Sequence, residues 1–203
     1  MHTQAARPQG TQRSRFRTIA WILLIVTIVA TIAFKVAQQQ SDGPLNDMIP
    51  GGALRSGDLV TDPIADWQFA HGKTIELQLE APLKSRYTGL VTYNNQLYVP
   101  CDLGYMWGRF SGMTRHMLHL IYIFKRWHED ALDNGRVMFR LDDKRYARQA
   151  VLVTDPDTVN ALKVQLEELA REWVAPDELG PPPTSGPRDI WFFRLDQRAP
   201  QSL

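Results

Sequence analysis

Residues 136–154 read RVMFRLDDKRYARQAVLVT. Val137, Phe139 and Leu141 fall on one side of an extended chain, and Arg136 and Arg140 fall on the other. A period of two predicts a half-buried strand. Asp142-Asp143 interrupts the alternation, and the chain returns through Lys144 to Thr154 as the second arm of a hairpin. Working outward, Thr74 to Glu80 (TIELQLE) shows the same alternation, with Ile75, Leu77 and Leu79 opposite Glu76, Gln78 and Glu80. Tyr87 to Tyr93 and Gln96 to Cys101 flank Asn94-Asn95, a pair that tolerates positive φ and suits a two-residue hairpin turn. Trp67 to Ala70 is read as a short first strand and Asp189 to Asp196 (DIWFFRLD) as the last.

Two stretches carry helical spacing instead. Met113, Met117, Leu120, Ile121, Phe124, Trp127 and Ala131 recur at three and four residues, which predicts a helix over 113–132. Asp155 and Pro156 then supply an N-cap and a first helical residue. Val159, Leu162, Leu166, Leu169 and Trp173 form the apolar stripe that follows. The order is β-β-β-β-α-β-β-α-β, dominated by hairpins and lacking any Gly-rich strand-to-helix crossover. The expected class is α+β: an antiparallel barrel or strongly curled sheet with two helices packed on it.

The amino-terminal region obeys different rules. Thr18 to Phe34 (TIAWILLIVTIVATIAF) holds no charged side chain, and Arg7, Arg13, Arg15 and Arg17 precede it. Val36 and Ala37 complete a bilayer-spanning length if Lys35 reaches its amine to the headgroups. The positive-inside rule puts residues 1–17 in the cytoplasm as a basic tail, makes 18–37 a transmembrane signal-anchor, and puts the domain on the extracytoplasmic side. In a bacterial cell that is the inner membrane and periplasm. A cleaved signal peptide is the competing reading, although this apolar run exceeds the usual h-region. Residues 38–57, rich in Gln, Gly, Asp and Pro, are read as a tether, and 58–203 as one barrel-like domain.

Composition narrows the function classes. The 203 residues carry a net charge of +1, but residues 35–203 hold 19 Lys/Arg against 22 Asp/Glu, a net of −3. Such a domain has no global attraction for nucleic acid. Cys101 is the only cysteine, so no intramolecular disulfide exists. Its place at the end of an apolar strand suggests a buried thiol, with a reactive thiol as the alternative. No G-x-S-x-G, H-E-x-x-H, P-loop or C-x-x-C occurs, which leaves hydrolase readings without a candidate.

With that order established, Thr74 to Trp173 resembles the split β-barrel superfamily, which includes pyridoxamine-phosphate-oxidase-like flavoproteins and deazaflavin-dependent nitroreductase-like proteins. The likeness rests on TIELQLE leading through Lys84-Ser85-Arg86 into a hairpin ending LYVPCD. It also rests on the Trp127 segment before GRVMFRL, and on KRYARQAVLVTD running into a helix. The resemblance implies a phosphate-binding role for Lys84, Ser85, Arg86 and Thr88, with FMN or a deazaflavin as the implied cofactor. A cation and a hydroxyl on a strand edge make charge-assisted bonds to phosphate. The ordinary alternative is a solvated turn.

Other groupings are weighed the same way. His116 and His119 share a helix face, but two ligands do not make a metal site, and no metal is expected. Arg136, Arg140, Lys144, Arg145 and Arg148 cluster on the second hairpin. They form either a surface for an anionic headgroup or acidic envelope partner, or edge charges that discourage aggregation. Trp107, in a Gly-rich stretch, is the tryptophan freest to contact a ligand. Three functions follow: a membrane-anchored extracytoplasmic binding or accessory module, a flavin- or deazaflavin-dependent oxidoreductase, and a membrane-complex scaffold using helix 113–132.

Overall fold

The computed structural model describes residues 10–46, 49–102, 126–173 and 190–198. Helix α1 (Gly10–Gln40) is one unit by itself. Its portion Arg17–Gln40 is 24 residues long and apolar enough to cross a membrane. At about 1.5 Å per residue this gives roughly 36 Å, more than a hydrocarbon core requires. From Ile19 to Val36 its large apolar side chains are exposed. Thr27 and Thr31 donate their hydroxyls to the carbonyls of Leu23 and Thr27, both at 2.8 Å. These bonds satisfy inside the helix the polar groups that lipid could not.

The second unit begins at Ser41. Its strands are β1 (Asp58–Val60), β2 (Thr74–Glu80), β3 (Leu83–Gly89), β4 (Val91–Tyr93), β5 (Gln96–Asp102), β6 (Arg136–Leu141), β7 (Lys144–Leu152) and β8 (Ile190–Gln197). Two helices accompany them, α2 (Trp127–Asp133) and α3 (Pro156–Trp173). The sheet runs β3-β2-β6-β7-β8-β5-β4 with antiparallel neighbours. β1 lies parallel to the first residues of β7, beside the part that β8 does not reach.

The sheet is a curled half-barrel, and one bend accounts for the curl. β3 and β4 are the two edges of the sheet, yet only Leu90 separates them in sequence. Leu90 is fully buried, donates to the Lys73 carbonyl and accepts from Gly72, at 2.9 and 3.0 Å. The chain therefore passes from one edge to the other within a residue, and β3 approaches β5 without being paired to it.

The inner face gathers Ile75, Leu77, Leu79, Val137, Phe139, Tyr146, Leu97, Val99, Cys101 and Phe193, with Trp67 and Trp127 packed among them. Phe139 stacks on Tyr146 at 4.7 Å, and Trp127 meets Phe193 at 5.3 Å. On the outer face Leu162, Leu166, Leu169 and Ala170 of α3 cover Val91, Tyr98 and Phe192.

Several expectations hold in detail. Asn94, Asn95, Asp142 and Asp143 all have positive φ, between 48° and 58°, as two-residue hairpin turns require. The Asp155 carboxylate caps α3 by accepting from the Thr158 amide at 2.8 Å. Other expectations need correction. Residues 68–70 form a 3₁₀ turn rather than a strand. Lys84-Ser85-Arg86 is not a turn: it lies within β3, and the reversal falls at Ala81-Pro82, whose peptide is cis. Within the 113–132 segment, α2 starts at Trp127, and residues 113–125 lie outside the described residues.

The described residues of 41–57 are not a free tether. Gly51 and Ser85 exchange backbone hydrogen bonds at 2.9 and 3.1 Å, and Leu54 donates to the buried Gln78 side chain at 2.7 Å. A Cβ on Gly51 would sit 1.8 Å from the Gly43 carbonyl oxygen, so the segment folds on itself backbone to backbone. It is a strap over the outer face of β2, β3 and β6.

Candidate functional site

Register decides which residues share a face, because residues directly opposed in a pair point the same way. Lys84 opposes Leu79, Arg86 opposes Leu77 and Thr88 opposes Ile75, so these three lie on the inner face. Ser85 opposes Gln78 and lies on the outer face, fully buried beneath the strap. Its hydroxyl has no hydrogen-bond partner among the described residues. The structure thus brings Lys84, Arg86 and Thr88 together on one strand edge and sets Ser85 apart. Alternation along β3 is a signal the sequence contained. The charged triplet obscures it, because such residues after a proline suit a turn as well as a strand.

Arg86 is the centre of the group. Its guanidinium lies over the Trp127 ring, 5.6 Å from the centroid. Burial lowers its pKa to about 10, with Cys101 and the Asp130 carboxylate acting in the opposite direction. It makes no hydrogen bond or ion pair among the described residues; the Trp127 face is its neighbour. Cys101 is fully buried nearby in the core, and Lys84 stands exposed at the rim. A guanidinium offers five donors in a planar fork suited to a carboxylate or phosphate. A partly desolvated one beside a cationic and a hydroxyl neighbour is equipped to hold an oxyanion.

The outer face shows the opposite condition. Arg140, only 12% exposed, pairs with Asp42 at 3.0 Å and with Glu76, and these carboxylates outweigh the desolvation that would lower its pKa. Asp42 also accepts from the Arg55 amide at 2.6 Å and from the Ser56 hydroxyl. Those bonds, the Arg55 amide first, hold its carboxyl far below the usual range. Burial would raise Glu80, but Arg198 at 2.7 Å and Arg136 at 2.9 Å prevail and lower it. Arg145 donates to the carbonyls of Gly57 and Leu54 at 2.9 and 3.1 Å. The cluster on the second hairpin is therefore no free basic surface: Arg136, Arg140 and Arg145 fasten the strap and the neighbouring strands. An open cleft of about 380 Å³ lies on this side, by Glu76 and Tyr87, where Arg140 pairs with Glu76 and Lys73 with Asp142 at 2.7 Å.

Among the described residues no group of three His, Cys, Asp or Glu side chains could hold a metal ion. His116, His119 and Trp107 lie outside the described residues.

No family model matches the chain, and no curated protein matches it. Among solved structures, it is similar to a pyridoxamine 5'-phosphate oxidase-like protein from Corynebacterium glutamicum ATCC 13032, at 10% identity over 62% of this chain and 78% of that one. The TM-score is 0.28, and at that level no residue correspondence is carried across.

Proposed function

We propose that this chain is a membrane-tethered binding module whose domain lies on the extracytoplasmic side and holds an oxyanion-bearing ligand at the Arg86 edge of its half-barrel. One observation carries the reading: Arg86 is desolvated, lies against Trp127 and makes no hydrogen bond or ion pair among the described residues. Such a cation is costly to maintain, and an arriving anion supplies the missing charge. Lys84 adds a second positive charge at the rim, and Thr88 adds a hydroxyl on the same face. Helix α1 supports the anchoring half of the reading by its length and composition. The arginines before it support the orientation.

The oxidoreductase alternative uses the same groups to hold a flavin phosphate, with the cofactor supplying the redox chemistry. Scaffolding through 113–132 rests on residues mostly outside the described ones. Titrating the full chain in detergent with inorganic phosphate and with FMN, followed by melting temperature, separates these. Binding of either that disappears in Arg86→Met supports the site, and binding of FMN alone favours the oxidoreductase. No thermal response to either, or an unchanged response in Arg86→Met, overturns the assignment of the ligand to this edge.

A further inference from the structure

The inner face holds a second arginine that the Arg86 edge does not use. Arg148 on β7 stands between Val137 of β6 and Gln197 of β8 in register and is 5% exposed. Its guanidinium lies 5.2 Å from the Trp67 ring centroid and 5.9 Å from that of Tyr146. Nη1 donates to the Ala147 carbonyl at 3.0 Å, and among the described residues no carboxylate pairs with it. Burial lowers its pKa. Among the described residues this is the one hydrogen bond of a guanidinium that carries five donors.

Arg148 borders a cavity of about 280 Å³, lined also by Trp67, Gln96, Leu97, Leu195 and Gln197. The wall is fixed in place: the Asn95 side chain accepts from the Trp67 amide at 2.9 Å and donates to the Ala65 carbonyl at 2.5 Å. Small-molecule sites run from roughly 300 to 1,000 Å³, so this one admits a small metabolite and excludes a flavin. Arg148 is the cation of the lining; Asp196 opposes Gln149 in register, so its carboxylate belongs to the outer face, where Arg194 holds it through two bonds of 2.6 and 2.9 Å. A dianion would bring two negative charges to this one guanidinium. A monoanion would not carry the second, uncompensated charge.

We propose that this cavity binds a small organic monocarboxylate, held by the Arg148 guanidinium, with Gln197, its register partner on the same face, beside it. The two oxygens of a carboxylate match two parallel guanidinium donors. The site is separate from the Arg86 edge, and either can fail without the other.

The test is a side-chain NMR titration of the full ¹⁵N-labelled chain in detergent, with Arg148→Lys identifying the Arg148 Nε–H resonance. Sodium acetate is the probe, with sodium phosphate and sodium chloride at matched ionic strength as comparators. Acetate should shift this resonance saturably and bind at least tenfold tighter than phosphate, while chloride leaves the resonance in place. Ile64 is a half-buried wall residue, and Ile64→Trp should weaken acetate binding at least tenfold while the rest of the spectrum is retained. The proposal is overturned by an acetate response that matches chloride, by tighter binding of phosphate, or by acetate binding that survives Ile64→Trp unchanged.

Discussion

The two faces of one sheet treat their arginines in opposite ways. On the outer face Arg136, Arg140 and Arg198 reach carboxylates, and Arg145 reaches two carbonyls. On the inner face Arg86 and Arg148 lie against tryptophan rings, and no carboxylate pairs with either among the described residues. Burial acts on both sets. Outside, anionic partners offset it and Arg140 is pushed further toward its charged form. Inside, Asp130 and Cys101 near Arg86 and Tyr146 near Arg148 offset it only in part, and both cations are pulled down. The outer arginines thus hold the fold together, whereas the inner ones are a cost to the folded state that a ligand would relieve.

The strap is where the outer half of this contrast is most easily broken. Gly51→Val places side-chain atoms where the Gly43 backbone already is, and the strap must lift from β3. We expect a loss of about 3–5 kcal/mol, in the range of severe core disruption, measured by urea unfolding of the full chain in detergent. Glu80→Gln comes next, because one carboxylate serves both Arg136 and Arg198. Leaving two half-buried cations short of charge should cost about 1–3 kcal/mol in the same assay.

Acid should act on the same contacts more gently, since Asp42 is partly exposed. Asp42 and Glu80 both titrate below their ordinary values in the folded protein. Their contribution is fully present above the unfolded carboxylate pKa of about 4 and fades as the pH falls toward the folded values. The urea midpoint should therefore drop below about pH 4, and the double variant Asp42→Asn, Glu80→Gln should flatten that drop. The smallest effect sharpens the inner half of the comparison. Lys84 is exposed and without an ion pair among the described residues, so Lys84→Ala should leave the urea midpoint within about 0.5 kcal/mol of wild type. It should weaken phosphate binding by less than Arg86→Met does.

Local chemistry made part of this readable from sequence. Alternation placed β2, β6 and β7, the Asn94-Asn95 and Asp142-Asp143 turns took the positive φ their side chains tolerate, and Asp155 capped its helix. The strap was not readable. Gly, Pro, Asn and Asp signal irregular backbone whether a segment floats free or is laid on a sheet, and the deciding partners, Ser85 and Gln78, lie more than twenty residues away. Three residues of β1 are too few for any period to appear. The site was half readable. Arg148 shares parity with Tyr146 and Ala150, so alternation marks it as inward, although the basic residues around it on the same hairpin obscure that mark. For Arg86, nothing local announced Trp127 as its neighbour, since that contact exists only once the sheet has curled.

The most direct test sets Arg140→Met beside Arg86→Met in one urea unfolding series, full chain in detergent, without added anion. Arg140→Met strands Asp42 and Glu76 and should lose about 2–4 kcal/mol, whereas Arg86→Met removes an uncompensated cation and should match wild type within about 0.5 kcal/mol or exceed it. An equal loss from both would mean that Arg86 holds the fold as Arg140 does, and would contradict the reading of the inner face as a site waiting for an anion.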